Sequence, residues 1–167
     1  MGFERQNGRM SKNPAILFGA QMITVLLVDD HAYIRKGIQY LLESTPDIVV
    51  AATAANGVEG VAKALSYQPD VVIIDISMPF MNGIEATKQI HEGCPRTHIL
   101  GLSIFPDKEF VQSAIQAGAQ GYLLKDQIGD ELIEAIYSLQ SGKRFFSQKI
   151  AEMIHPYIEK DNQSRVG

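Results

Sequence analysis

The chain has 167 residues, of which 46% are hydrophobic and 20% charged, and its formal net charge is −4. That length suits one compact domain with tails, and the composition is that of an ordinary globular protein. The negative balance argues against nucleic acid as the main partner of this chain. The single cysteine, Cys94, excludes an internal disulfide and a zinc site built from thiolates. We expect it to be an incidental loop thiol in a reducing compartment.

The N-terminal residues carry a weak targeting pattern. Basic side chains at Arg5, Arg9 and Lys12 precede a short apolar run at Ala15–Phe18. The run is too short for a convincing signal peptide, and the next apolar stretch is needed as a strand. We therefore predict a disordered extension or leader over residues 1–21. No run of 18 or more apolar residues occurs anywhere, so a membrane span is not expected.

From residue 22 onward, strand-like and helix-like segments alternate. The strand-like runs are short and almost wholly apolar, which favours strands buried on both faces. They cover Ile23–Val28, Ile48–Ala52, Val71–Ile74, Ile99–Leu102 and Gly121–Leu124. Helical periodicity follows each run, and Gly118 and Gly142 stand where helix ends are expected. The pattern predicts an α/β fold with a doubly wound, five-stranded parallel sheet, flavodoxin-like order 2-1-3-4-5, and helices on both faces.

A further helix is predicted after this domain, which we place at residues 22–142. Ser147 can cap it, and an apolar stripe runs through Ile150, Met153, Ile154 and Tyr157. We predict an amphipathic, linker-like helix within residues 143–160 and a frayed polar tail over residues 161–167. The stripe has three interpretations: it packs on the domain, it leads to a DNA-binding domain, or it meets a partner.

Polar side chains stand at the ends of four predicted strands. Asp29 and Asp30 follow the first strand, Asp75 the third, Ser103 the fourth and Lys125 the fifth. In the predicted order, a crevice opens beyond the carboxyl ends of strands 1 and 3. Carboxylates crowded there need a cation, and oxygen ligands select Mg²⁺ or Mn²⁺ over zinc. Such a site can place a phosphoryl group on a carboxylate, with the ammonium and the hydroxyl contacting its oxygens.

Each of these residues also has a plainer explanation when taken alone. An acidic pair after a strand can cap a helix, and a lone acid or lysine is usually solvated. Their joint position at strand ends, in the right order, favours a site. The histidines are scattered without ligand spacing, and we expect them on the surface or at caps; they are His31, His91, His98 and His155.

With those residues in place, residues 23–142 resemble the receiver domain of two-component response regulators, in the LuxR-type (NarL/FixJ) branch. The resemblance is carried by Val28-Asp-Asp-His31, Asp75-Ile-Ser-Met-Pro79, Met81-Asn-Gly83, Leu102-Ser103 and Gly121-Tyr-Leu-Leu-Lys-Asp126. It implies that Asp75 is the phosphoacceptor and that Lys125 binds the phosphoryl group. It also implies Mg²⁺ ligation by Asp75, by Asp30 directly, by Asp29 through water and by the backbone carbonyl of Ser77.

The resemblance further implies a conformational switch. Ser103 and Tyr122 match the switch pair, in which the hydroxyl moves to the phosphoryl group and the ring turns inward. The surface that changes is helix 4, near Phe105 to Gln116, together with strand 5 and helix 5, near Leu132 to Leu139. Two residues depart from the family pattern: Ile104 stands where a small residue is usual, and Asp126 where many receivers carry a cis-proline. The isomer of the Lys125–Asp126 bond is therefore left undetermined.

The resemblance also implies partners and a location. We expect a sensor histidine kinase as phosphodonor, a cytoplasmic location and no membrane contact. Homodimerisation on phosphorylation is a further expectation. DNA would be reached only through a helix-turn-helix domain, for which the residues after Gly142 are too few. The chain is thus either a stand-alone receiver or a fragment of a transcription regulator. Its catalysis would be limited to its own phosphorylation and slow dephosphorylation.

Two other functions are less compatible with the same residues. A Mg²⁺-dependent phosphatase with an aspartyl-phosphate intermediate needs a second acid two residues after the nucleophile, where Ser77 stands. An FMN carrier needs a phosphate loop after strand 1, where Asp29 and Asp30 would repel the phosphate.

Overall fold

The computed structural model of the chain describes residues 21–165, so the predicted extension before residue 21 lies outside the described residues. The strands are β1 Ile23–Val28, β2 Ile48–Ala54, β3 Val71–Asp75, β4 His98–Ser103, β5 Gly121–Leu124 and β6 Phe145–Phe146. The helices are α1 Ala32–Glu43, α2 Gly57–Tyr67, α3 Gly83–Gly93, α4 Lys108–Ala117, α5 Ile128–Gln140 and α6 Gln148–Arg165. A short 3-10 turn, Lys125–Gln127, joins β5 to α5.

The strands form one parallel sheet in the order β2-β1-β3-β4-β5-β6. The predicted α/β fold and its order 2-1-3-4-5 are confirmed. The sheet has six strands rather than the predicted five, because Phe145–Phe146 pairs with β5 at the edge. Two residues are too few to show a strand pattern in the sequence.

Helices cover both faces of the sheet, and alternate strand residues point to opposite faces. Helices α1 and α5 pack on one face through buried residues such as Ile38 and Leu132. Helices α2, α3 and α4 pack on the other, through residues such as Ala64, Ile90 and Val111. The inner strands β1, β3, β4 and β5 are buried on both faces, as their continuous apolar runs indicated, whereas the edge strand β2 is partly exposed.

The C-terminal helix α6 packs on the same face as α2, α3 and α4. Ile150 and Ile154 on its apolar stripe are fully buried, and Met153 and Tyr157 pack partly buried against the same core. Helix α6 contacts α4 and β5. Of the three interpretations of the stripe, packing on the domain is therefore the one this structure shows. The helix also runs to Arg165, so the predicted tail is wrong over residues 161–165.

Ser147 links three elements rather than capping α6 with its side chain. Its hydroxyl accepts a hydrogen bond from the Leu124 backbone N–H at 3.2 Å. The same hydroxyl donates to Glu131 Oε2 on α5 at 2.7 Å. The start of α6 is thereby bonded to the last residue of β5, directly before Lys125.

Three smaller findings complete the fold. Cys94, expected in a loop, is fully buried at the end of α3, and its thiol contacts the Ala64 carbonyl oxygen at 3.4 Å. No cis peptide bond occurs within residues 21–165, so the Lys125–Asp126 bond is trans. Within the same residues, no helix has both the length and the apolar character needed to cross a membrane.

Packing of α6 predicts that its buried stripe contributes to global stability. We expect Ile154→Ala to lower the free energy of unfolding by about 2–5 kcal/mol, because it leaves a cavity in the core. The matched control is His155→Ala on the exposed side of the same helix, which should change it by less than about 0.5 kcal/mol. Urea unfolding followed by circular dichroism measures both. Equal unfolding midpoints for the two variants would contradict an integral α6.

Candidate functional site

The carboxyl edge of the sheet gathers three carboxylates. Asp29 follows β1 and is fully buried, and Asp75 closes β3 with 1% exposure. Asp30 is less enclosed, with a side chain 25% exposed. The backbone holds this arrangement: the Asp29 N–H donates to Ala54 O at 3.1 Å, and Arg35 Nη1 donates to Asp29 O at 2.7 Å. The sequence prediction that these acids meet is therefore correct in its geometry.

Lys125 joins the same cluster from the end of β5. Its Nζ lies 3.0 Å from Asp29 Oδ2 and 3.2 Å from Asp75 Oδ2. The side chain is only 8% exposed. Since one ammonium faces three carboxylates, the pocket carries an excess of negative charge when all are ionised. Two carboxylates about 4 Å apart repel by about 4 kcal/mol at an effective dielectric of 20.

The electrostatics of Asp75 follow from this crowding. Burial raises the pKa of Asp75 to about 6, the Lys125 ammonium opposes the rise, and the Asp29 carboxylate adds to it. Asp75 also accepts a hydrogen bond at Oδ1 from the Ser77 N–H at 3.1 Å, which favours the ionised form. At neutral pH the Asp75 carboxylate is therefore mostly ionised. The Lys125 ammonium neutralises it only in part, because Asp29 shares the same ammonium.

The loop after β3 is shaped by a close backbone approach. Gly83 begins α3, and its N–H donates to Ile76 O at 3.0 Å. A Cβ at this position would lie 2.5 Å from Ile76 Cα, and it would also meet the backbone oxygen of Asp75. Asn82 caps α3 by accepting from the Glu85 N–H at 2.9 Å. The Asn-Gly pair therefore fixes the loop against the strand that carries Asp75.

The proposed switch residues lie beside the cluster without contacting it. The Ser103 hydroxyl donates to Phe105 O at 3.0 Å. The Tyr122 ring is fully buried, and burial raises the pKa of its phenol while the neighbouring Ser103 side chain lowers it. Gly101 makes room for the ring, because a Cβ there would lie 3.0 Å from Tyr122 Cδ2. The Ile104 side chain is 58% exposed and points largely into solvent.

His31 is exposed and stands at a helix N-cap, as the sequence indicated, but its closeness to the acidic cluster was not predicted. Its side chain makes no capping hydrogen bond to α1. Instead, Nδ1 lies 3.3 Å from Asp29 Oδ1, 3.1 Å from Asp30 Oδ1 and 3.9 Å from Asp75 Oδ2. The backbone N–H of His31 donates to Asp29 Oδ1 at 2.8 Å, which holds the turn. The available signal was direct sequence adjacency to the acidic pair.

The donor set at this edge fits a divalent cation. One ligand atom from each of Asp29, Asp30, His31 and Asp75 can be chosen so that all lie within 4.8 Å of one another. Asp30 Oδ1 is buried yet accepts no hydrogen bond within the described part of the chain. A buried carboxylate oxygen without a donor is costly unless a cation faces it. Oxygen-rich sites of this kind suit Mg²⁺ and Mn²⁺.

Comparison with known proteins places this fold and site in a family. The profile of the response regulator receiver domain matches residues 25–137. The chain therefore belongs to the response regulator receiver family. Its likeness to LuxR-type regulators agrees with the branch suggested by the sequence motifs.

Similar proteins include full-length regulators. The chain is 35% identical over 144 residues to the oxygen regulatory protein NreC of Staphylococcus epidermidis ATCC 12228, covering 85% of this chain and 66% of that protein. It is 36% identical over 141 residues to NreC of Staphylococcus aureus JH9, covering 83% and 65%. The chain thus spans slightly less than two thirds of the length of these relatives.

Solved structures show the same fold. A LuxR-family response regulator from Aurantimonas sp. SI85-9A1 superposes with a TM-score of 0.76 at 33% identity, covering 88% of this chain and all of that one. The receiver domain of the response regulator NarL from Mycobacterium tuberculosis gives a TM-score of 0.70 at 28% identity, covering 74% and 99%.

The raised pKa of Asp75 predicts that removing its charge increases the stability of the fold, by an amount that depends on pH. Because the folded state binds this proton more tightly than the unfolded state, ionised Asp75 costs stability above pH 6, and the cost vanishes below its ordinary pKa of 3.8. We expect Asp75→Asn to raise the free energy of unfolding at pH 7.5, by up to about 3 kcal/mol. The gain should shrink as the pH falls toward 4.

Urea unfolding at several pH values measures this gain. The matched control is Asp126→Asn, an exposed acid next to Lys125, which should give a small and nearly pH-independent change. A gain for Asp75→Asn that grows on acidification would contradict the assigned direction of the shift.

Proposed function

We propose that this receiver takes a phosphoryl group onto Asp75 from the phosphohistidine of a sensor kinase. The observation that carries the proposal is a buried, ionisable Asp75 with the Lys125 ammonium at 3.2 Å and two further carboxylates beside it. Membership of the receiver family supports the same role.

The transfer follows from the positions of these side chains. One Asp75 oxygen attacks phosphorus, the bond from phosphorus to the kinase imidazole breaks, and its electron pair returns to the imidazole nitrogen. No general base is needed, because the carboxylate attacks in its ionised form. Lys125 pairs with Asp75 before transfer and is placed to contact a phosphoryl oxygen afterwards.

A divalent cation is part of the proposal. Asp29, Asp30 and Asp75 would hold Mg²⁺, or Mn²⁺, with the backbone carbonyl of Ser77 as a further ligand. Bound there, the cation supplies positive charge to the phosphoryl oxygens. Asp30 Oδ1 is buried and accepts no hydrogen bond from any described residue, so a cation beside it would offset the cost of burying it.

We further infer how the signal leaves the site. The Ser103 hydroxyl would exchange its bond to Phe105 O for a phosphoryl oxygen. The Tyr122 ring is already buried here, so the hydroxyl rotation is the larger local change. The surface it remodels is α4, β5 and α5, and α6 packs on part of it. This is a two-state change biased by one new charged group.

Output and location belong to the same proposal. Relatives named as regulators and the LuxR-type likeness support transcriptional control, with DNA contacted by a helix-turn-helix domain outside this chain. A net charge of −4 gives this chain no basic surface excess for DNA. The unpaired, buried Cys94 fits the cytoplasm. Phosphorylation at Asp75 would also promote homodimerisation of the chain.

Phosphorylation is tested directly by intact mass. The chain incubated with acetyl phosphate and Mg²⁺ should gain one acid-labile phosphoryl adduct, and Asp75→Asn should gain none. Asp130→Asn, an exposed acid on α5, is the matched control and should label like the wild type. Equal labelling of Asp75→Asn would overturn the assignment. Light scattering on the same samples tests dimerisation, and rapid turnover of a diffusible phosphate ester would favour the phosphatase alternative.

The switch is tested by separating phosphorylation from its consequence. We expect Ser103→Ala to gain the adduct at Asp75 but to lose the change in amide hydrogen exchange over residues 104–117. The reason is that no hydroxyl remains to follow the phosphoryl group. Ser164→Ala, at the exposed end of α6, is the control. Identical exchange changes in Ser103→Ala and wild type would contradict this role.

A further inference from the structure

The distances from His31 Nδ1 to the carboxylate oxygens of the acidic cluster are those expected between ligand atoms of one metal ion. In an octahedral site with bonds of about 2.1 Å, adjacent ligand atoms are about 3.0 Å apart and opposite ones about 4.2 Å. Nδ1 of His31 is 3.1 Å from Asp30 Oδ1 and 3.3 Å from Asp29 Oδ1, close to the adjacent spacing. Its distance to Asp75 Oδ2, 3.9 Å, approaches the opposite spacing.

Hydrogen bonding accounts for one contact of the ring: His31 Nδ1 lies within hydrogen-bond distance of Asp29 Oδ1, at 3.3 Å. Nδ1 and Asp30 Oδ1 are 3.1 Å apart, yet that oxygen accepts no hydrogen bond from any described residue. The side chain does not cap α1 either. The 3.1 Å between Nδ1 and Asp30 Oδ1 is also the spacing of neighbouring ligand atoms around one ion.

We propose that His31 Nδ1 is a ligand of the divalent cation held by the acidic cluster. The inference rests on the metal role proposed above and extends it, because a nitrogen ligand changes which cation the site prefers. Oxygen ligands alone suit Mg²⁺, whereas imidazole suits the later first-row divalent ions, whose affinity rises from Mn²⁺ to Ni²⁺. The site should therefore favour Co²⁺ over Mg²⁺ by a margin that depends on His31.

The position of the ring suits this role. The His31 side chain is 54% exposed, whereas the side chain of Lys125, which contacts the same carboxylates, is 8% exposed. The backbone N–H of His31 donates a hydrogen bond to Asp29 Oδ1 at 2.8 Å, which fixes the position of the backbone that carries the ring. Ligation needs the electron pair of Nδ1, so the ring binds with its one proton on Nε2. A neutral ring protonated on Nδ1 therefore shifts that proton to Nε2, and only an imidazolium releases a proton to solvent.

The direct test is pulsed electron paramagnetic resonance on the full chain loaded with Mn²⁺. Wild type should show nitrogen modulation of the Mn²⁺ echo, and His31→Ala should lose it while still binding Mn²⁺. His155→Ala, which removes an exposed imidazole on α6, should keep it. Bound Mn²⁺ without nitrogen modulation in the wild type would overturn the ligand role of His31.

Calorimetric titration gives the second readout. The ratio of Mg²⁺ to Co²⁺ dissociation constants should fall by at least about tenfold in His31→Ala. An unchanged ratio would also overturn the proposal. The parent metal site is tested separately with Asp30→Asn: if this variant binds Mn²⁺ as wild type does, the acidic cluster is not the site, and the role of His31 fails with it.

Discussion

One constraint organises this molecule: three carboxylates are held at a single sheet edge with one ammonium among them. Two of the acids, Asp29 and Asp75, are almost fully buried, so solvent cannot relieve their repulsion. The carboxylates in the pocket therefore destabilise one another, and an added cation would relieve their repulsion. Burial, and to a smaller extent the Asp29 carboxylate, raises the pKa of Asp75, and Asp30 Oδ1 accepts no hydrogen bond from any described residue.

The fold maintains this crowding by rigid means. Asp29 and Asp75 sit at the ends of neighbouring buried strands, β1 and β3, whose register is set by continuous parallel pairing. Gly83 lets α3 start directly against the backbone of Asp75. Lys125 enters from β5, at the far side of β4. None of these groups depends on a long loop for its position, so their distances are set by the sheet itself.

Much of this arrangement was readable from the sequence. Strands buried on both faces give continuous apolar runs, and the polar residue closing each run marks the sheet edge, which is why Asp75 and Lys125 were assigned correctly in position. Three features left no such signal. The two residues of β6 have no periodicity, α6 continues past its apolar stripe to Arg165, and the His31 ring is placed by a turn rather than by spacing.

The link between site and C-terminal helix also lay beyond the sequence. A serine ahead of a helix is usually its cap, yet the Ser147 hydroxyl bonds the Leu124 N–H and Glu131 instead. That choice is tertiary, because it depends on β5 ending beside the start of α6. It connects the residue before Lys125 to the helix that covers part of the α4 and β5 face.

The short edge strand β6 affects how two copies of this chain can associate. The outward backbone groups of β5 are already occupied: Gln120 O and Tyr122 O accept from the Phe145 and Ser147 N–H groups. Strand β6 is only two residues long and offers little backbone of its own. A neighbouring chain therefore finds only a short backbone ladder to extend on this side by strand addition. Contact there depends mainly on side chains, which a single substitution can alter.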